Sequence, residues 1–252
     1  MDKKHHPLTP HERERYNRQI LIPGWGEEGQ EKIRDATVFI AGAGGLGSPA
    51  ALYLAAAGVG CIRICDCGKV ELSNLNRQIL HVDRDISRRK ADSAEETLRG
   101  VNPLVKVIGL KEKIDRKSID GLVAGAQIIV DAADNYETRY VLNEFSVHKG
   151  IPFIHAGLYA MSGQITFIHS PDTPCLRCIF PQAPPPETFP IVGATAGIIG
   201  SMEALEALKY LAGIPNLLKN KLLIMEGNPP SFQEIIIERD PECLVCGDRG
   251  NS

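Results

Sequence analysis

The segment Gly42-Ala-Gly-Gly-Leu-Gly47 constrains the fold most. It follows a short run of β-forming residues, Thr37 to Ala41, and opens an Ala/Leu-rich stretch, Gly47 to Gly58, that reads as a helix. A second apolar run, Cys61 to Cys65, completes a strand–turn–helix–strand unit. The alternation continues with helices at Lys90 to Arg99, Lys117 to Val123 and Glu137 to His148, and strands at Val105 to Leu110, Gln127 to Asp131 and Pro152 to Ala156. Strands separated by helices of this length pair in parallel through right-handed crossovers, with helices on both faces of one sheet. This predicts a Rossmann-like α/β fold. From Gln164 the pattern changes. Gln164 to His169, Lys221 to Met225 and Phe232 to Glu238 read as strands with one long helix, Ile198 to Ala212, among them, so antiparallel C-terminal strands should extend the sheet.

Two cysteine pairs, Cys175-Leu-Arg-Cys178 and Cys243-Leu-Val-Cys246, lie in this second region. Each offers two thiolates on a tight turn, and four sulfurs close a tetrahedral zinc shell with no position left for chemistry. A structural zinc site on these four residues is the expectation, with two redox CxxC motifs as the alternative. Cys61, Cys65 and Cys67 alternate along the second strand, which predicts that all three share one buried face. Pro181 to Pro190 is too proline-rich for a helix or central strand and reads as a surface loop after the first pair.

Bulk properties weigh against several classes. A net charge of −3 and a pI near 6.2 leave no electrostatic footprint for a nucleic acid. No stretch reaches the roughly 20 apolar residues of a membrane span, and the polar start, Met1 to His11, has no apolar targeting core. Seven cysteines without a secretory segment suit metal or free thiols in the cytoplasm.

The glycine turn presents unpaired amides at a helix N-terminus, a site for phosphates, and Asp66 ends the next strand where a carboxylate can accept ribose hydroxyls. These features alone suit an NAD(P)-dependent oxidoreductase, or simply a tight turn. The segment Ser73-Asn74-Leu75-Asn76-Arg77-Gln78 and the later Lys90 point elsewhere. A dinucleotide has no triphosphate to hold, whereas Arg77 and Lys90 could neutralise one. Asp134 follows the fourth strand, at the same sheet edge, and one hard oxygen ligand together with substrate phosphates suits Mg2+. Solvated surface charges for Arg77 and Lys90, and a helix cap for Asp134, are the alternatives.

Taken together, Gly42 to Gly47, Asp66, Ser73 to Gln78, Lys90, Asp134-Asn135 and the two CxxC pairs resemble the MoeB/ThiF family over residues 16–247. That resemblance implies adenylyltransferases that use ATP and Mg2+ to activate ubiquitin-like sulfur-carrier proteins at a C-terminal Gly-Gly. By position, it implies nucleotide contacts from Gly42, Gly44, Gly45, Gly47, Asp66, Ser73, Asn74, Leu75, Asn76, Arg77, Gln78, Lys90, Asp134 and Asn135, with Asp134 on the magnesium. Arg77, Lys90 and Asp134 would carry the chemistry, joined by Arg18, which resembles the arginine that such homodimers pass into the neighbouring subunit's site. It further implies a single domain over residues 1–252, with an N-terminal helical arm (1–36), a nucleotide-binding core (37–157) and a carrier-binding and zinc region (158–252).

One feature departs from the family. Many relatives carry a cysteine in the loop after the first knuckle, and this loop has none. The expectation is therefore an enzyme that stops at the acyl-adenylate, with sulfur supplied by a separate protein. The chain runs only a few residues past Cys246, which predicts no appended sulfurtransferase domain. A tRNA-modifying adenylating relative would need a basic face, and a non-catalytic scaffold would lose Arg77, Lys90 or Asp134. The molybdopterin and thiamine pathways, and others leading to a sulfur-containing product, all stay open.

Overall fold

A computed structural model describes residues 7–185 and 189–247. Residues 1–6 of the expected N-terminal arm and residues 186–188 of the proline-rich loop lie outside them. Three helices, α1 (Pro10–Arg15), α2 (Asn17–Ile20) and α3 (Gly26–Arg34), lead into the sheet. Thr9 starts α1 with a reciprocal cap, its hydroxyl taking the Glu12 amide while the Glu12 carboxylate takes the Thr9 amide.

The core follows as β1 (Thr37–Ala41), α4 (Gly47–Ala56), β2 (Cys61–Cys65), α5 (Lys90–Val101), β3 (Lys106–Leu110), α6 (Ile119–Val123), β4 (Ile128–Asp131), α7 (Tyr136–Lys149) and β5 (Phe153–Tyr159). Then come β6 (Ser162–Ile168), α8 (Leu176–Ile179), α9 (Gly193–Ala212), β7 (Lys221–Gly227) and β8 (Pro230–Ile236). All eight strands form one sheet in the order β3-β2-β1-β4-β5-β6-β7-β8. The pairs through β4–β5 are parallel, and those from β5–β6 onward are antiparallel. The expected Rossmann-like sheet with an antiparallel extension is present.

Alternation along each strand sends side chains to two cores. Ile40, Ile62, Val130 and Ile154 pack with α4, α5 and α9 on one face, while Phe39, Ile129 and Phe153 pack with α6, α7 and α8 on the other. Each such side chain, fully removed from water, contributes about 1.5–3 kcal/mol. Helix α9 starts at Gly193 rather than Ile198. Intrinsic propensity disfavours the Gly193–Gly197 stretch as helix. Packing overrides it, because a Cβ on Gly193 would fall 2.3 Å from the Asn76 carbonyl oxygen. That close approach ties the start of α9 to the turn that carries Arg77.

Candidate functional site

The chain leaves β1 toward β2 on one side and returns to β4 on the other, so the carboxyl ends of β1 and β4 diverge and open a crevice at a topological switch point. A cavity of about 600 Å³ lies there. The glycine turn forms its floor, with Gly42, Gly44 and Gly45 in the wall. Gly47 is not in the wall. A Cβ at Gly47 would sit 2.0 Å from the Gly42 carbonyl oxygen, so that glycine allows the turn to close on itself.

Two buried or half-buried side chains fix the turn from behind. Asp66 Oδ2 accepts the Ala43 amide at 3.0 Å, and Oδ1 accepts the Gly68 amide at 2.7 Å. The expected ribose carboxylate therefore also braces the phosphate turn, and it lines the cavity. His81 lies 3.0 Å through Nε2 from the Ala43 carbonyl and 2.8 Å through Nδ1 from Ser93 Oγ. A carbonyl can only accept, so Nε2 carries the proton and Nδ1 accepts from the serine. Burial, with the nearby Lys90 charge, holds the His81 pKa below its usual value and keeps the ring neutral.

Of the residues expected in the 73–78 segment, Arg77 and Gln78 reach the cavity. Asn74 is buried beside it, its Oδ1 accepting the Glu71 amide at 3.2 Å. Ser73, Leu75 and Asn76 stay outside the wall, and the Ser73 carbonyl and Asn76 Oδ1 hold the Arg77 guanidinium at 2.9 and 3.0 Å. The aliphatic part of Arg77 lies over Gly45. Lys90 opens α5 and lines the opposite wall. Among the described residues neither Arg77 nor Lys90 forms an ion pair, whereas Lys113 and Arg139 of the same wall do. Two uncompensated cations facing one glycine turn suit a polyanion.

Asp134 and Asn135 lie on the far rim. Asn135 is the cap of α7, accepting the Thr138 amide at 2.9 Å and donating to Asp134 Oδ1 at 3.0 Å. The cap reading proposed for Asp134 thus belongs to its neighbour, and Asp134 is left exposed at the mouth as a hard oxygen donor. Arg18 is exposed on α2 and outside this cavity.

A second cavity, of about 750 Å³, opens against the antiparallel strands and shares Asp134, Asn135, Arg139, Leu158 and Phe189 with the first. Gly157, Gly163 and Gln164 line it, with the Gln164 side chain against Gly157, and Pro184 and Pro185 of the proline-rich loop stand over it. Arg139, which escaped sequence reasoning, sits at the junction. Its one signal was its place one turn into α7, four residues after Asn135. It is anchored from below by Asp131, a buried carboxylate whose Oδ2 lies 2.7 Å from His155 Nδ1 and 3.5 Å from Arg139 Nε. Burial drives the His155 pKa down, so this ring is also neutral.

The four paired cysteines converge. Cys175 and Cys243 sulfurs are 3.6 Å apart, Cys178 and Cys246 are 3.4 Å apart, and all four lie within 4.8 Å of one another. A tetrahedron with metal–sulfur bonds of about 2.3 Å has edges of about 3.8 Å. Amides of Asp240 and Val245 point at the Cys178 and Cys243 sulfurs at 3.4 and 3.5 Å, which favours thiolates there. Burial pushes the Cys178 thiol up to about 11, so a cation is needed to hold the set deprotonated. The donor set fits zinc.

The ThiF family model matches residues 16–245. The chain belongs to the ThiF family. It is 40% identical to a SAMP-activating enzyme E1 of Haloferax volcanii over 94% of this chain and 90% of the relative. It is 38% identical to a sulfur carrier protein adenylyltransferase of Thermus thermophilus over 95% and 93% of the two chains. Escherichia coli MccB, solved with ATP, superposes with a TM-score of 0.82 at 24% identity, covering 92% of this chain and 73% of that one, and so shares the fold.

Within this ThiF-family chain the three remaining cysteines do not behave alike, which corrects the expectation of one buried face. Strand β2 ends at Cys65, so the alternation stops there. Cys61 is half-buried, Cys65 is buried with its pKa pushed up to about 12 by burial, and Cys67 is exposed in the wall of the first cavity.

Proposed function

We propose that this ThiF-family adenylyltransferase activates the C-terminal Gly-Gly carboxylate of a ubiquitin-like, β-grasp sulfur-carrier protein with ATP. One observation carries the reading: two cations without ion pairs, Arg77 and Lys90, face a glycine turn with the exposed Asp134 carboxylate on the far rim, and this cavity shares a wall with a second one lined by Gly157 and Gln164. The first cavity suits a nucleoside triphosphate, and the second suits an extended, side-chain-free peptide tail. The glycine-turn amides, Arg77 and Lys90 would bind the phosphates, with Gln78 and Asn135 beside them, and Asp66 would take the ribose.

In the reaction a carboxylate oxygen of the terminal glycine bonds to the α-phosphorus, the bond from that phosphorus to the bridging oxygen of the β-phosphate breaks, and pyrophosphate leaves with the electron pair. The attacking carboxylate is already ionised at neutral pH, so no base is required, and rate comes from alignment and charge compensation. Asp134 would hold the magnesium, which when bound neutralises phosphate charge. The four cysteines would hold a structural zinc.

The working enzyme is read as a cytoplasmic homodimer in which Arg18 serves the neighbouring site, acting on no nucleic acid or membrane. A separate protein donates sulfur, and the product serves a molybdopterin- or thiamine-type pathway. Among the described residues no helix is long and apolar enough to cross a membrane. Calorimetric titration with ATP–magnesium and with NAD separates this reading from a dehydrogenase. ATP should bind at micromolar levels and NAD far more weakly, and the reverse order would replace the proposal with an oxidoreductase.

A further inference from the structure

We infer that Arg139 binds the carboxylate of the incoming carrier terminus and so sets the enzyme's demand for a free C-terminus. This rests on the adenylation reading above. The second cavity presents three acidic side chains, Asp134, Glu137 and Glu226, and among its described lining residues Arg139 is the one cation. A chain ending in a carboxylate would be repelled from such a cavity unless its charge met a partner. Arg139 is the available partner.

The side chain is built for this and not merely packed. It is 8% exposed, and its Nη2 donates to the Ala133 carbonyl at 2.8 Å. Its plane is steadied by the Tyr136 ring, 5.1 Å from the guanidinium carbon. Nε is fully buried, makes no hydrogen bond and faces Asp131 Oδ2 across a 3.5 Å ion pair, so it is shut off from the cavity. Asp131 itself is engaged elsewhere, Oδ1 by the Ala133 amide at 3.1 Å and Oδ2 by His155. Among the described residues Nη1 also makes no hydrogen bond. That leaves Nη1 as the donor a ligand can fill: an unfilled donor on a largely buried guanidinium is costly, and a carboxylate is the group that a guanidinium matches. Its place in the wall shared by both cavities lets one cation relieve the repulsion between the carboxylate and the α-phosphate as they meet.

The test compares the β-grasp carrier that the wild type activates with the same protein ending in a carboxamide. The wild type should bind the carboxylate form about tenfold or more tightly than the amide. R139Q should bind the two alike, and R139K should keep part of the preference. An Arg139 Nε–H resonance in the wild-type protein should shift with the carboxylate carrier and not with the amide, a readout that needs no variant. A merely structural role would weaken both forms equally. A preference retained in R139Q, or an unmoved Arg139 resonance, would overturn the inference alone, whereas a wild-type chain that binds neither form would overturn the adenylation reading and this inference with it.

Discussion

Glu203 lies on α9 with no exposed surface, and neither of its carboxylate oxygens has a hydrogen-bond partner among the described residues. Burial, reinforced by the Asp131 charge and partly offset by Arg139, raises its pKa well above the usual carboxylate value. A group whose folded-state pKa is raised binds its proton more tightly in the native state, so it costs nothing below the unfolded value, about 4.3. As pH rises from there toward the folded value, the unfolded chain gains by ionising while the native chain does not. Stability drops by about 1.4 kcal/mol per pH unit across that window. Glu203→Gln keeps the shape and removes the titration. The two proteins should therefore melt together near pH 4 and separate as pH rises, the glutamine variant gaining roughly 3–6 °C per unit within the window for a chain of this size. Thermal unfolding followed by circular dichroism at several pH values measures this. His81 and His155, whose pKa values are depressed, act in the opposite direction below about pH 6.5 in both proteins and cancel in the difference. Parallel curves, or a wild type that gains on the variant as pH rises, would show that the Glu203 pKa is not raised, and the reasoning would fail.

Further outcomes follow from the thiols. Protein purified without chelator should contain about one zinc per chain, and Cys175→Ser or Cys243→Ser should lose it together with several kcal/mol of stability; metal analysis by mass spectrometry decides, and a zinc-free native protein would contradict the cluster. Cys67 should be the first cysteine alkylated by a maleimide and Cys65 among the last, with ATP–magnesium slowing the labelling of Cys67; peptide mapping that finds Cys65 labelled equally fast would place β2 differently. No thiol stands in the described part of the proline-rich loop, so ATP and carrier should leave no covalent carrier–enzyme adduct on a non-reducing gel, and an adduct abolished by Cys67→Ser would identify that exposed thiol as reactive.

Most of the fold was legible because its signals are local. Glycine turn, apolar runs and helical stretches each declare themselves within a few residues, and both cysteine pairs announce a shared ion by spacing. What stayed hidden depends on packing between distant segments. The start of α9 was missed because Gly193 matters only through its close approach to Asn76. Cys67 was misplaced because periodicity does not tell where a strand stops. His81, Asp131, His155 and Arg139 carry no motif, and their roles arise only when the 73–81 turn, β4, β5 and α7 meet at the switch point. Asn74, expected among the nucleotide contacts, also braces the local turn by accepting the Glu71 amide, a role no spacing announces.

The most direct test of the central claim is pyrophosphate exchange into ATP with magnesium and a β-grasp carrier. Exchange should require the intact Gly-Gly terminus and vanish with a carrier lacking its last two residues. Asp134→Asn should slow it by at least about 100-fold while melting like the wild type. Exchange that proceeds without any carrier, or that is absent with every Gly-Gly carrier while the chain binds ATP, would contradict the account.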